Sequence, residues 1–325
     1  MSFLQRAIIA LAFLVVSSTS LVAQAPVWSS ATQYPYAMGG DSGLEGPAAT
    51  IFNNVVYMVF TSRTPSPSGD YYMYEATSTD GVNYSAPVQI NTLSGIAHAS
   101  SNPSLAVYNN SLYLAYNNGS GANLVSSGDG TNWGTVQQLP TSVPVNSHPS
   151  LASDGQTLYV GLKESTTASG LVFCTYTVSS GASCVTNEST GMNYGPGLAV
   201  FGSQVFISFE WQGNNHTLLY YTWANGSFSP LQTVTGATTS AAPGLTSANL
   251  RTLFIGYRAN DGGHGLYTVG LLTNGQWDTN YYSGYGIGGP PAMFSGLPGH
   301  LGAIYALYAA NDSSHYMYAI GAINP

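Results

Sequence analysis

A proline followed by small and apolar residues returns six times along this 325-residue chain, at Pro47, Pro103, Pro149, Pro196, Pro243 and Pro291. The spacings are 56, 46, 47, 47 and 48 residues. A period this steady means one supersecondary unit used repeatedly, because such a unit buries its apolar surface only against copies of itself. Each proline is followed by a segment with a central aromatic: NVVYMVF, NSLYLAY, QTLYVGL, SQVFISF, RTLFIGY and GAIYALY, centred on Tyr57, Tyr113, Tyr159, Phe206, Phe254 and Tyr305. Apolar and aromatic alternation of this length, bounded by Gly and Asn, reads as strand. A third strand follows in each unit (YYMYEAT, ANLVSS, LVFCTYT, TLLYYTW, GLYTVGL, HYMYAIG), then a polar turn and a fourth. Four short antiparallel strands at this period describe a propeller blade. A solenoid would need capping repeats, and none is visible.

The sixth unit runs out after its third strand, while PVWSSATQYPYA, residues 26–37, reads as a fourth strand lacking the other three. The expected fold is therefore an all-β six-bladed β-propeller of four-stranded antiparallel blades, one domain over residues 26–325. The N-terminal strand should pair with Tyr316 to Ile320 and remove the open edge of the last blade. Residues 1–25 read as a secretory signal: Arg6, the apolar run Ala7 to Val16, and small residues that place cleavage after Ala23 or Ala25. That run is short for a bilayer span, and no later stretch is apolar enough, so the expectation is a secreted or periplasmic protein not embedded in a membrane.

Charged residues make up only 6% of the chain and Lys163 is its one lysine, with a formal charge of −8. A phosphate backbone would find little to pair with, which excludes nucleic acid as a partner. Cys174 and Cys184, the two cysteines, flank a turn-like SSGAS stretch. In an oxidising compartment they form a cross-hairpin disulfide, the alternative being two buried thiols. No His or Cys lies near them at ligand spacing, so neither a metal nor another cofactor is expected.

The turn between third and fourth strands reads STDGVNY at Ser78–Tyr84 and SGDGTNW at Ser127–Trp133, degrading to NGSF and NGQW in later units. These turns resemble shortened Asp boxes of the sialidase-like six-bladed propellers, and the repeat resembles that superfamily over nearly the whole mature chain. The resemblance implies a structural role for Asp80 and Asp129, on the face opposite the ligand. The residues suggest the same: a short carboxylate accepts N–H bonds from its own turn.

The loops entering first strands and leaving second strands meet at the other face. One ring there holds the residues before the landmark prolines, Gly46, Asn102, His148, Gly195, Ala242 and Pro290. Another lies four positions beyond the central aromatics: Thr61, Asn117, Lys163, Glu210, Arg258 and Ala309. The second ring gathers scarce charge, either for a ligand or for an interblade ion-pair chain from Lys163 through Glu210 to Arg258. Candidate ligand-binding residues are His148, Asn117, Lys163, Glu210, Trp211 and Arg258. Loops ending at His216, His264 and His315 add polar groups beside aromatic strands, or simply cap turns.

Hydrolysis of the sialidase type would need an arginine clamp on a substrate carboxylate, an aspartate acid, and a tyrosine activated by a glutamate. The resemblance puts the first arginine where this chain has Glu45-Gly46-Pro47. Asp70 occupies the loop of the acid and Arg258 would serve the clamp; Arg63, Arg251 and Arg258 make three arginines, but Arg251 precedes a strand at its far end from Arg258, so the three are not expected to converge. A nucleophile elbow, a phosphate loop and HExxH are absent. Carbohydrate binding without catalysis is the expected function, with a glycan or polysaccharide as partner. A sialidase-like hydrolase and a protein-binding scaffold are the alternatives.

Overall fold

The computed structural model describes residues 27–323 apart from 38–45, 66–70, 249–251 and positions 143, 146, 167, 214, 279, 301, 313 and 315. Six antiparallel blades form a closed ring. In blade two the strands Ser104–Tyr108, Ser111–Asn117, Ala122–Ser127 and Gln137–Gln138 pair outward in chain order, and the other blades repeat the plan. First strands of successive blades lie side by side all the way round, blade six (Ala292–Ser295) meeting blade one (Ala48–Phe52).

Closure follows the sequence reading. Val27–Trp28 and Thr32–Ala37 pair with Tyr316–Ile323, from Val27 opposite Ile323 to Ala37 opposite Tyr316, with a shift of register between Tyr34 and Ala37. Tyr34 carries the closing strand toward blade one: its hydroxyl donates to the Ser85 carbonyl at 2.7 Å, and its ring meets Phe60 and Tyr84 edge-on.

The core is divided among the gaps between blades, each gap holding its own apolar cluster. Between blades three and four, for example, lie Phe173, Ile207, Phe209 and Tyr221. Both faces of each blade are therefore covered, and this is why the inner strands are apolar at nearly every position.

The landmark motif is the neck of the ring. A Cβ on Gly197 would lie 2.2 Å from the Pro243 carbonyl oxygen of the next blade, so only glycine fits this approach. Inner-strand amides facing a neighbour are capped by hydroxyls: Leu151 N–H donates to Ser104 Oγ and Leu198 N–H to Ser150 Oγ, both at 2.9 Å. At the opposite face, Gly130 combines φ +83° with a Cβ position 2.3 Å from the Tyr57 hydroxyl. The turn of one blade thus seats on the central aromatic of the preceding blade. In blade three, Cys174 and Cys184 are joined by a disulfide with a Cα–Cα distance of 4.0 Å.

Candidate functional site

Both rings read from the repeat are present at one mouth of the channel. Asn117, Lys163, Glu210, Arg258 and Ala309 each end a second strand, and Thr61 holds the same position in blade one, where the strand runs on to Pro65; they lie opposite Ala122, Leu171, Leu218, Leu266, Met317 and Met73 of the third. Their equivalence holds in register as well as in sequence. The residues ahead of the prolines converge at the same end: a Cβ on Gly195 would lie 2.4 Å from the His148 carbonyl oxygen, and one on Gly46 2.0 Å from that of Pro290.

Glu210 is fully buried. Its Oε1 accepts from Asn193 Nδ2 at 2.6 Å and from His216 Nδ1 at 2.5 Å, while its buried Oε2 accepts from none of the described residues. Burial raises its pKa; the bonds from Asn193 and His216 and the positive charge of Arg258 offset this only in part. Arg258 is also buried, its Nε donating to the Ile287 carbonyl and its Nη1 to Ser240 Oγ, each at 2.8 Å. Burial lowers its pKa, against the charges of Tyr194, Asp261 and Glu210. Tyr194, half-buried, stands in the field of both Glu210 and Arg258.

The ion-pair chain considered from the sequence does not form. Among the described residues Glu210 pairs with His216, and neither Lys163 nor Arg258 comes within ion-pair distance of it. Lys163 is half-buried, which lowers its pKa. His148 sits in the channel lining, where burial pushes its pKa down to about 4 and keeps the ring neutral near pH 7. Asn117 is fully buried; its Nδ2 donates to the Val145 carbonyl at 2.8 Å and its Oδ1 accepts from Gly119 N–H at 2.9 Å. Trp211 is half-buried against the cluster between blades three and four, its ring edge held by Gly213, where a Cβ would lie 2.1 Å from Nε1. Asn117 and Glu210 therefore shape the mouth, while His148, Lys163, Trp211 and Tyr194 keep surface on it.

Asp70, Arg251 and His315 lie outside the described residues, as does the side chain of Arg63. The histidine loops have a backbone purpose. His216 and His264 adopt φ of 51° and 50°, as does Ser169 at 51° in the matching place of blade three. Their carbonyls accept from Thr239, Ile287 and Met192 of the linkers leaving each blade, all at 2.9 Å. Of the two histidines, His216 adds a side-chain bond to this stitch, the one to Glu210, while His264 Nδ1 has no partner among the described residues. Sequence reasoning missed Tyr194 and Asn193, whose one signal was a position just before the landmark Pro196. No group of metal-binding side chains occurs among the described residues.

At the opposite face, Asp80 Oδ1 accepts from Ser78 Oγ and from the N–H groups of Val82 and Asn83, and its Oδ2 from Asn83 Nδ2. Asp129 repeats the set with Asn132, Thr131 and Ser127, and the Asn132 and Thr131 bonds hold its pKa well below the usual carboxylate range.

No protein-family model matches the chain, and no curated protein matches it in sequence. Solved structures do match in fold. An α-L-arabinanase of Penicillium chrysogenum, complexed with arabinobiose, is 14% identical with a TM-score of 0.64, over 92% of this chain and 99% of that one. The Aleuria aurantia lectin, in complex with α-methyl-L-fucoside, is 13% identical with a TM-score of 0.58, over 88% and 97%. A subtype N11 neuraminidase-like protein (A/flat-faced bat/Peru) is 12% identical with a TM-score of 0.58, over 94% and 95%. The fold they share with this chain is the six-bladed β-propeller. At these identities the likeness concerns architecture, and the site must be argued from its own residues.

Proposed function

We propose that this chain is an exported carbohydrate-binding propeller that holds a neutral or weakly acidic glycan at the mouth face without cleaving it. The observation that carries this reading is the setting of Lys163 and Arg258. A chain with few charges keeps two of its cations wholly or partly desolvated at equivalent ends of second strands, free of carboxylate partners among the described residues, with Tyr194 in the field of Arg258. Cationic N–H donors beside aromatic rings suit sugar hydroxyls and the apolar face of a pyranose or furanose. The arabinobiose and fucoside complexes of structurally similar proteins support the ligand class.

Hydrolysis is the second reading, because Tyr194 stands near both Glu210 and Arg258. The electrostatics disfavour it. Burial raises the Tyr194 pKa, Glu210 raises it further, and Arg258 opposes both, so the phenol stays protonated near neutral pH. Glu210 spends its hydrogen bonds on Asn193 and His216 and none on that phenol. The deciding experiment is a glycan array run beside a panel of fluorogenic aryl glycosides, with wild type and Arg258→Ala. Binding weakened by about 1–3 kcal/mol in the variant, with no turnover by either, supports the proposal. Turnover of any glycoside overturns it in favour of hydrolysis. An array without a hit, together with capture of a defined protein partner, overturns it in favour of a scaffold.

A further inference from the structure

The outer edge of blade three differs from every other blade edge in the ring. Its fourth strand, Gly181–Asn187, runs seven residues in unbroken register with the third, from Thr177 opposite Gly181 to Leu171 opposite Asn187. Elsewhere the outermost strand is short or irregular. Blade one has two residues (Val88–Gln89), blade two has two (Gln137–Gln138), blade four is split around Pro230, blade five shifts register, and blade six carries a bulge between Tyr34 and Ala37. Short strands, prolines and bulges are the devices that blunt a sheet edge against pairing with another chain. Blade three has none of them, and no charged side chain lies between Val178 and Asn187.

The backbone of this edge is also open. Antiparallel partners about 4.5 Å apart are non-hydrogen-bonded pairs, against about 5.5 Å for hydrogen-bonded ones. Cys174 and Cys184, at 4.0 Å, belong to the first kind. Cys184 therefore turns its N–H and C=O away from the blade, and so do Ala182 and Thr186 at two residues on either side. None of these three makes a backbone hydrogen bond outside the strand ladder to a described residue. The disulfide fixes the middle of the row and removes a bending freedom that an outer strand ordinarily keeps.

We propose that this edge is a self-association surface, at which a second copy of the chain adds its own Gly181–Asn187 strand antiparallel about a two-fold axis at Cys184. The row is self-complementary: Cys184 faces Cys184 of the second copy, and Ala182 faces Thr186, so every outward N–H meets an outward C=O. Two molecules of formal charge −8 repel one another, and an uncharged strand is where they approach with least penalty. The flanking side chains, Ala182, Ser183 and Val185, are small, which suits sheet continuation over reading of a foreign peptide through side-chain pockets. Antiparallel addition reverses the strand, so the two mouth faces of the pair open in opposite directions.

The test is sedimentation velocity on the oxidised protein over a hundredfold concentration range, combined with amide hydrogen exchange. Ala182→Pro removes one outward N–H without breaking a ladder bond, a place where an edge strand tolerates proline. Val185→Lys places a charge beside the axis in each copy. Wild type should self-associate as a dimer, with the amides of Ala182, Cys184 and Thr186 more protected at high concentration. Each variant should weaken association at least tenfold with an unchanged melting temperature; if the proline variant melts early, Val185→Lys alone decides. A wild type that stays monomeric throughout the range overturns the proposal. So does a dimer that survives Val185→Lys, or one formed without protection of those three amides.

Discussion

The two faces of the ring are made from the same repeat, yet they treat polar groups in opposite ways. At the turn face, all hydrogen-bonding capacity shown by Asp80 and Asp129 is used within a few residues of the chain. At the mouth face, among the described residues, Glu210 and Glu164 each keep a buried oxygen without a hydrogen-bond partner, and Lys163 has no carboxylate within ion-pair distance. A carboxylate that satisfies its own turn contributes to stability and leaves nothing for a ligand. Partly desolvated groups left without a partner cost stability and are tolerated where something else can complete them. The contrast separates scaffold from site on physical grounds.

The largest stability effect should come from the turn face. Asp80→Ala removes four hydrogen bonds, partly replaced by water, and should cost about 2–3 kcal/mol in denaturant unfolding while leaving glycan affinity unchanged. A loss below 0.5 kcal/mol, on the order of an ordinary surface substitution, would remove the structural reading of that turn.

Next comes Glu75, between blades one and two, which accepts from Trp133 Nε1 at 3.1 Å. Burial pushes its pKa from 4.5 up to about 7; the Trp133 bond opposes the rise and the Asp129 charge adds to it. The folded chain then holds this proton more tightly than the unfolded one. Its destabilising contribution is absent below about 4.5 and complete above about 7. Glu75→Gln, which keeps an acceptor for Trp133, should stabilise the protein by about 1–2 kcal/mol at pH 8 and by almost nothing at pH 4.5. Thermal unfolding across that range checks the slope, and a variant less stable than wild type at pH 8 would reverse the sign.

The smallest effect compares two histidines with the same backbone. His264→Gly relieves a left-handed residue whose Nδ1 has no hydrogen-bond partner among the described residues, and should change stability by less than about 0.5 kcal/mol. His216→Gly relieves the same backbone but breaks the bond to Glu210, and should be worse by about 1 kcal/mol. Equal effects would mean that His216 contributes nothing through its side chain.

The repeat made the ring and both rings of mouth residues legible, because each is a local pattern multiplied by six blades; the closing strand followed from the count, and the cysteine pair from its symmetric place about one turn. What it hid is specific to one blade. Asn117 looks available in sequence, but its amide is consumed by Val145 and Gly119. Tyr194 lies in a linker whose counterparts hold Glu45, Ser101, Ser147, Ala241 and Gly289, so the repeat offers no aromatic there, and beside it Asn193 is matched by Asn146 alone. The Glu210–His216 bond depends on a left-handed turn that brings His216 back over the end of the second strand. The open edge of blade three emerges only from register, since its residues look like any other short polar strand.

The central claim, that the mouth face and not the turn face meets a glycan, is tested most directly by calorimetric titration. The array's strongest glycan would be titrated into wild type, Trp211→Ala, Lys163→Met and Asp129→Ala. The account predicts at least tenfold weaker binding for the Trp211 and Lys163 variants, each folded by its melting curve, and wild-type affinity for the Asp129 variant. Undiminished binding in both mouth variants, or a loss confined to Asp129→Ala, would contradict it.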